Sequence, residues 1–135
     1  SEIILKNFNR IKNNINFKIF PSIQFESFLS LMKYSKGIIG NSSAGIIEAP
    51  FYGIPTINIG SRQDRRFDYA SIKNINENTK KILNEISKIK NITYNPTKHF
   101  GRGQSTTFFL KAINKKEFWN TDLQKKFQTI IHNKI

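Results

Sequence analysis

The residues with the most chemistry to offer lie together in Asn41-Ser42-Ser43-Ala44-Gly45-Ile46-Ile47-Glu48. Two adjacent hydroxyls, Ser42 and Ser43, stand where an apolar run ends and a helix is expected to start near Ala44. Free N–H groups at such a start carry partial positive charge and favour anions, phosphate above all. Gly45 has no side chain to keep a ligand off the backbone. Glu48 follows about one helical turn later. A carboxylate there can accept hydrogen bonds from the two hydroxyls of a ribose. Phosphate at the turn and ribose on the carboxylate together describe a nucleotide site. Spacing alone also allows a plainer account, in which the serines cap a helix and Glu48 favours its dipole. The stretch is neither a Walker loop nor a GxGxxG fingerprint.

The elements that hold this stretch read as strand, turn, short helix, turn, strand. Ile38-Ile39 is an apolar run without alternation, which suits a strand buried on both faces of a parallel sheet. Gly53 and Pro55 stop the helix, and Thr56-Ile57-Asn58-Ile59 resumes as a strand. The result is a βαβ unit with a short crossover. Ahead of it, Ser1–Asn14 reads as helix, Phe17-Lys18-Ile19-Phe20 as a short strand ended by Pro21, and Glu26–Tyr34 as a helix. Phe28 and Met32 are expected in the core. After it, Ser71–Ile75 reads as an edge strand and Asn78–Ile89 as a helix with Ile82, Leu83, Ile86 and Ile89 on one face. A loop through Gly101-Arg102-Gly103 leads to a helix over Thr107–Asn114, capped by Ser105 or Thr106. A last helix is expected over Glu117–Ile131. Its Phe118 and Trp119 would either face a partner domain or join an ordinary core. The fold class is α/β: a Rossmann-like parallel sheet flanked by helices.

At 135 residues the chain is one domain at most, 1–135. It has no cysteine, which excludes disulfides and thiolate metal sites. Its two histidines, His99 and His132, are far apart and point to no metal centre. No stretch reads as a secretory leader or is apolar enough to span a bilayer, so no membrane partner and a cytoplasmic location are expected. The net charge of +13 raises the question of a basic nucleic-acid-binding module. The lysines are scattered, however, and keep company with many Asn and Ile rather than with a nucleic-acid motif. The charge reads as a solvated surface that also attracts an anionic nucleotide.

Gly40-Asn41-Ser42-Ser43-Ala44-Gly45-Ile46-Ile47-Glu48-Ala49-Pro50, then Gly53-Ile54-Pro55-Thr56-Ile57-Asn58-Ile59-Gly60, then Arg62-Gln63, resembles the hydrolysing UDP-N-acetylglucosamine 2-epimerases. The likeness runs from about Phe17 to about Leu110 and is closest to the branch serving sialic-acid-like nonulosonates. It implies the C-terminal half of a GT-B fold, with UDP-sugar held between two Rossmann-like domains, the N-terminal one missing here. It implies that Ser42 and Ser43 hold the diphosphate, Glu48 binds the uridine ribose and Arg62 lies near the nucleotide. The backbone of Ile23 would lie against the uracil. No catalytic residue is assigned, because the family's acid and base groups precede this chain. No metal or redox cofactor is implied. The full enzyme is expected to be a homo-oligomer, and this chain, which lacks an initiator Met, an inactive fragment of it. The alternatives are a GT-B glycosyltransferase nucleotide-binding domain and a basic nucleic-acid-binding module. Two positions depart from the family pattern: Arg65 replaces a turn glycine and Arg102 an aspartate between glycines. If the family turn needs positive φ at position 65, Arg65 is strained.

Overall fold

The computed structural model describes residues 2–89, 92–120 and 124. The chain divides into two compact units, Ser1–Thr97 and Lys98–Ile135. The first unit carries α1 (Glu2–Ile11), α2 (Phe25–Tyr34), β1 (Ile38–Gly40), α3 (Ala44–Ile47), a 3-10 turn (Ala49–Tyr52), β2 (Thr56–Ile59), β3 (Ile72–Ile75) and α4 (Thr79–Ile89). The second carries α5 (Ser105–Ile113) and α6 (Lys116–Trp119).

The sheet has the order β1-β2-β3, and both pairings are parallel. Ile38 faces Thr56 across the first pair, and Thr56 faces Ile72 across the second. The central strand β2 is the buried one, with Thr56, Ile57 and Asn58 all inside. Side chains alternate along a strand. Thr56 therefore turns to the face where α3 lies, and its Oγ1 donates to the Gly45 carbonyl at 2.7 Å. Ile57 turns to the other face and is fully buried. On the α3 side, Met32, Ala44, Ala49 and Ile54 form a small core, with Phe28, Ile38 and Tyr52 packed on it. Helix α4 packs against β2.

The βαβ unit, the edge strand β3 and helices α1, α2 and α4 stand where the residue pattern places them. Gly53 ends the 3-10 turn in the left-handed region, at φ +70°. A Cβ there would lie 2.2 Å from the Tyr94 carbonyl oxygen, so the position accepts only glycine. Asn78 caps the start of α4, its Oδ1 accepting from the Lys81 N–H at 3.0 Å.

Several expectations are corrected. Phe17–Phe20 is not a strand, because no neighbouring strand pairs with it among the described residues. Strand β1 is not buried on both faces: Ile39 is 47% exposed at the sheet edge. On α4, Leu83 points outward while Ile89 is buried. Helix α5 begins at Ser105, two residues early, with Gln104 at its N-cap and no side-chain cap bond, so neither Ser105 nor Thr106 caps it. In the second unit Phe118 and Trp119 are exposed rather than in a core. The Trp119 indole N–H donates to the Ile113 carbonyl at 2.6 Å. Most of the expected last helix, from 121 to 123 and from 125 onward, lies outside the described residues.

Candidate functional site

The C-terminal ends of β1 and β2 carry the two polar turns of interest. After Gly40 the chain enters Asn41-Ser42-Ser43, and the Ser43 carbonyl accepts from the N–H groups of both Ile46 and Ile47 at 2.9 Å. Ser43 stands at the N-cap of α3 but has helical dihedrals, and its hydroxyl makes no cap bond. Ser42 Oγ accepts a long bond, 3.3 Å, from the Ala44 N–H. Neither serine therefore acts as a tight cap. Among the described residues, the N–H groups of Ser42 and Ser43 donate to no backbone acceptor. Helix α3 is a single turn of four residues. Its dipole adds little, so any attraction for an anion rests on these local N–H groups and hydroxyls.

Glu48 closes α3 and opens the 3-10 turn. Its side chain is half-buried. One carboxylate oxygen, Oε2, is shielded from solvent and has no hydrogen-bond partner among the described residues. A desolvated carboxylate oxygen without a donor is costly, so it marks a place for a donor to arrive.

The loop after β2 is exposed at Ser61, Arg62, Asp64, Arg65 and Arg66, whereas Gln63 is buried. The Gln63 amide donates from Nε2 to the Asn41 carbonyl at 3.0 Å. Its Oε1 accepts from Arg66 Nη1 at 2.7 Å. This side chain brings the Arg62 loop to the serine turn. Ile23 lines an open groove with Phe20, Ser22, Glu26, Leu31 and Tyr34.

Gly45 has a different role from the one expected. A Cβ at this position would lie 2.6 Å from Thr56 Cγ2. The missing side chain makes room for β2 against α3, not for a ligand. Residue reasoning assigned no role to Gln63 or to Asn58. Asn58 is buried in β2, and its Nδ2 donates to Asn74 Oδ1 at 2.8 Å across the β2–β3 pair. The available signal in each case was one amide side chain among residues of another kind, charged around Gln63 and apolar around Asn58. Among the described residues no group of three or more His, Asp or Glu could hold a metal ion. No helix among them is long and apolar enough to cross a membrane.

A parallel sheet, a short helical crossover and polar turns at the C-terminal strand ends define a Rossmann-like α/β domain. The family described as UDP-N-acetylglucosamine 2-epimerase matches residues 1–114, and the chain belongs to that family. It is 43% identical over 115 residues to the UDP-N-acetylglucosamine 2-epimerase of Neisseria meningitidis serogroup B, covering 82% of this chain and 30% of that protein. It is 46% identical over 69 residues to a GDP/UDP-N,N'-diacetylbacillosamine 2-epimerase (hydrolyzing) of Campylobacter jejuni, covering 51% of this chain and 18% of the other. Among solved structures, the UDP-GlcNAc 2-epimerase of Methanocaldococcus jannaschii superposes with a TM-score of 0.63 at 22% identity, over 83% of this chain and 33% of its own. The chain thus spans a third or less of the length of these relatives.

Proposed function

We propose that this chain is the UDP-binding C-terminal part of a hydrolysing UDP-N-acetylglucosamine 2-epimerase. In this reading Ser42 and Ser43 take the diphosphate through hydroxyl and N–H groups. Glu48 takes the ribose hydroxyls, Arg62 neutralises charge near the diphosphate, and the Ile23 backbone lies against the uracil. The observation that carries it is the buried Glu48 Oε2, without a hydrogen-bond partner among the described residues, one helical turn from the serine turn. A ribose hydroxyl would supply the missing donor. The hydrolysing type is supported by the likeness to the hydrolysing Campylobacter epimerase and by the Arg62-Gln63 pair.

The full reaction would eliminate UDP from UDP-N-acetylglucosamine, with loss of the C2 proton, to give a 2-acetamidoglycal. Addition of water with inversion at C2 then releases N-acetylmannosamine, feeding nonulosonate sugar synthesis. The part played by these residues is to hold the departing UDP, whose developing charge the N–H groups and Arg62 stabilise. The acid and base groups, an N-terminal GT-B domain, a cytoplasmic homo-oligomer and assembly of residues 1–135 as one domain belong to the same reading. Titration of UDP into the purified chain, repeated with Glu48→Ala, tests it. Binding in the wild type that the variant weakens by about 1–3 kcal/mol is the expected result. Equal affinity in Glu48→Ala and Ser43→Ala, with both folded, removes the site.

A further inference from the structure

Gln63 is the one buried residue in the otherwise exposed loop of residues 61–66. Its amide bridges two segments 22 positions apart in sequence. The Asn41 carbonyl can only accept, so it must meet the Nε2 end. The Arg66 guanidinium can only donate, so it must meet the Oε1 end. A glutamine is thus oriented in one sense, with a donor on the serine turn and an acceptor toward its own loop. Arg62 is the residue directly before it, and Ser42 directly follows the carbonyl that it holds.

We propose that Gln63 is a positioning residue. Its amide sets the distance between Arg62 and the Ser42-Ser43 turn, so that both reach one diphosphate. This rests on the nucleotide reading above and deepens it. Arg66 has a supporting part: its guanidinium holds the Gln63 amide in register, and Gln63 in turn holds Asn41.

The test is an NMR titration of the full 135-residue chain with UDP. The variants are Gln63→Ala, Gln63→Glu, Arg62→Ala, Gln63→Ala with Arg62→Ala, and Glu48→Ala as a control. Gln63→Glu keeps a partner for Arg66 but loses the donor to Asn41. Both Gln63 variants are expected to weaken UDP roughly ten-fold, as the loss of one buried hydrogen bond would. In the Arg62→Ala background, Gln63→Ala should add less than about two-fold, because a residue acting through Arg62 has nothing left to position. A merely structural role would give the same loss in both backgrounds, and that result overturns the proposal. So does wild-type affinity in a folded Gln63→Ala. If Gln63→Ala does not fold, as read by its circular dichroism melt, Gln63→Glu and Arg66→Ala carry the test, each expected to weaken binding. Full affinity in both overturns it. Loss of binding in Glu48→Ala with none in the Gln63 variants removes the positioning role alone. Wild-type affinity in Glu48→Ala, or no binding by the wild-type chain, removes the nucleotide reading and this inference with it.

Discussion

At position 65 an arginine holds φ at +61°, the one non-glycine residue with positive φ among those described. The turn does require the left-handed region there, as the glycine of the family pattern implied. A side chain in that region costs about 1–2 kcal/mol. Glycine relieves this but loses about 0.5–1 kcal/mol through its freer unfolded chain. Arg65→Gly should therefore stabilise the chain by up to about 1.5 kcal/mol, the difference of those two terms. A thermal melt checks it, and an unchanged or lower midpoint counts against the strain. Since Gln63 and Arg66 flank this position, relief of strain here would also be felt at the tie to Asn41. Glu48 was legible as a chemical group from its type and spacing. That one of its oxygens is buried without a partner among the described residues was not, because burial depends on segments that the local pattern does not name.

Within the crossover from β1 to β2, one close contact seats the helix on the strand. Helix α3 lies on β2 with Gly45 against Thr56, and the Thr56 hydroxyl donates to the Gly45 carbonyl at 2.7 Å. Gly45→Ala would place a methyl group where Thr56 Cγ2 already stands, and overpacking of this kind costs about 1–3 kcal/mol. Thr56→Val keeps the shape and loses the hydrogen bond inside a buried strand, costing about 1 kcal/mol. Urea unfolding of both variants reads these losses. An unperturbed midpoint for Gly45→Ala would mean that α3 is not pressed on the strand. Turn residues and periodicity made the βαβ unit readable, since Gly53, Pro55 and the polar Asn41-Ser42-Ser43 run are local signals. Phe17–Phe20 misled because a strand is defined by its partner, and β-rich composition cannot supply one.

The chain is strongly basic, and many large apolar side chains among the described residues are exposed. The net charge of +13 should draw an anionic nucleotide from a distance. UDP affinity is therefore expected to fall by at least about three-fold between low and high salt, as screening shortens that reach. Salt-independent binding would confine the attraction to the site itself. On the proposed reading, in which the acid and base groups lie outside residues 1–135, no UDP release from UDP-N-acetylglucosamine is expected of these residues alone. Detectable turnover would place acid and base groups within these residues. Helix α1 buries none of its residues among those described, with Ile3, Leu5 and Phe8 exposed. Its amphipathic spacing was plain in the sequence, since one helical turn fixes which residues share a face. The sequence by itself also determined the βαβ unit with the strand and helix that follow it, the family and the identity of the polar groups at the strand ends. All of these follow from residue type and short-range spacing. Only the tertiary structure decided that Gly45 serves Thr56, that Ile39 stands at an open edge, that Ile23 shares a groove with Leu31 and Tyr34, and that Gln63 joins two turns. Those contacts join residues far apart in the chain, and what meets at such a distance is set by how the sheet brings its strand ends together.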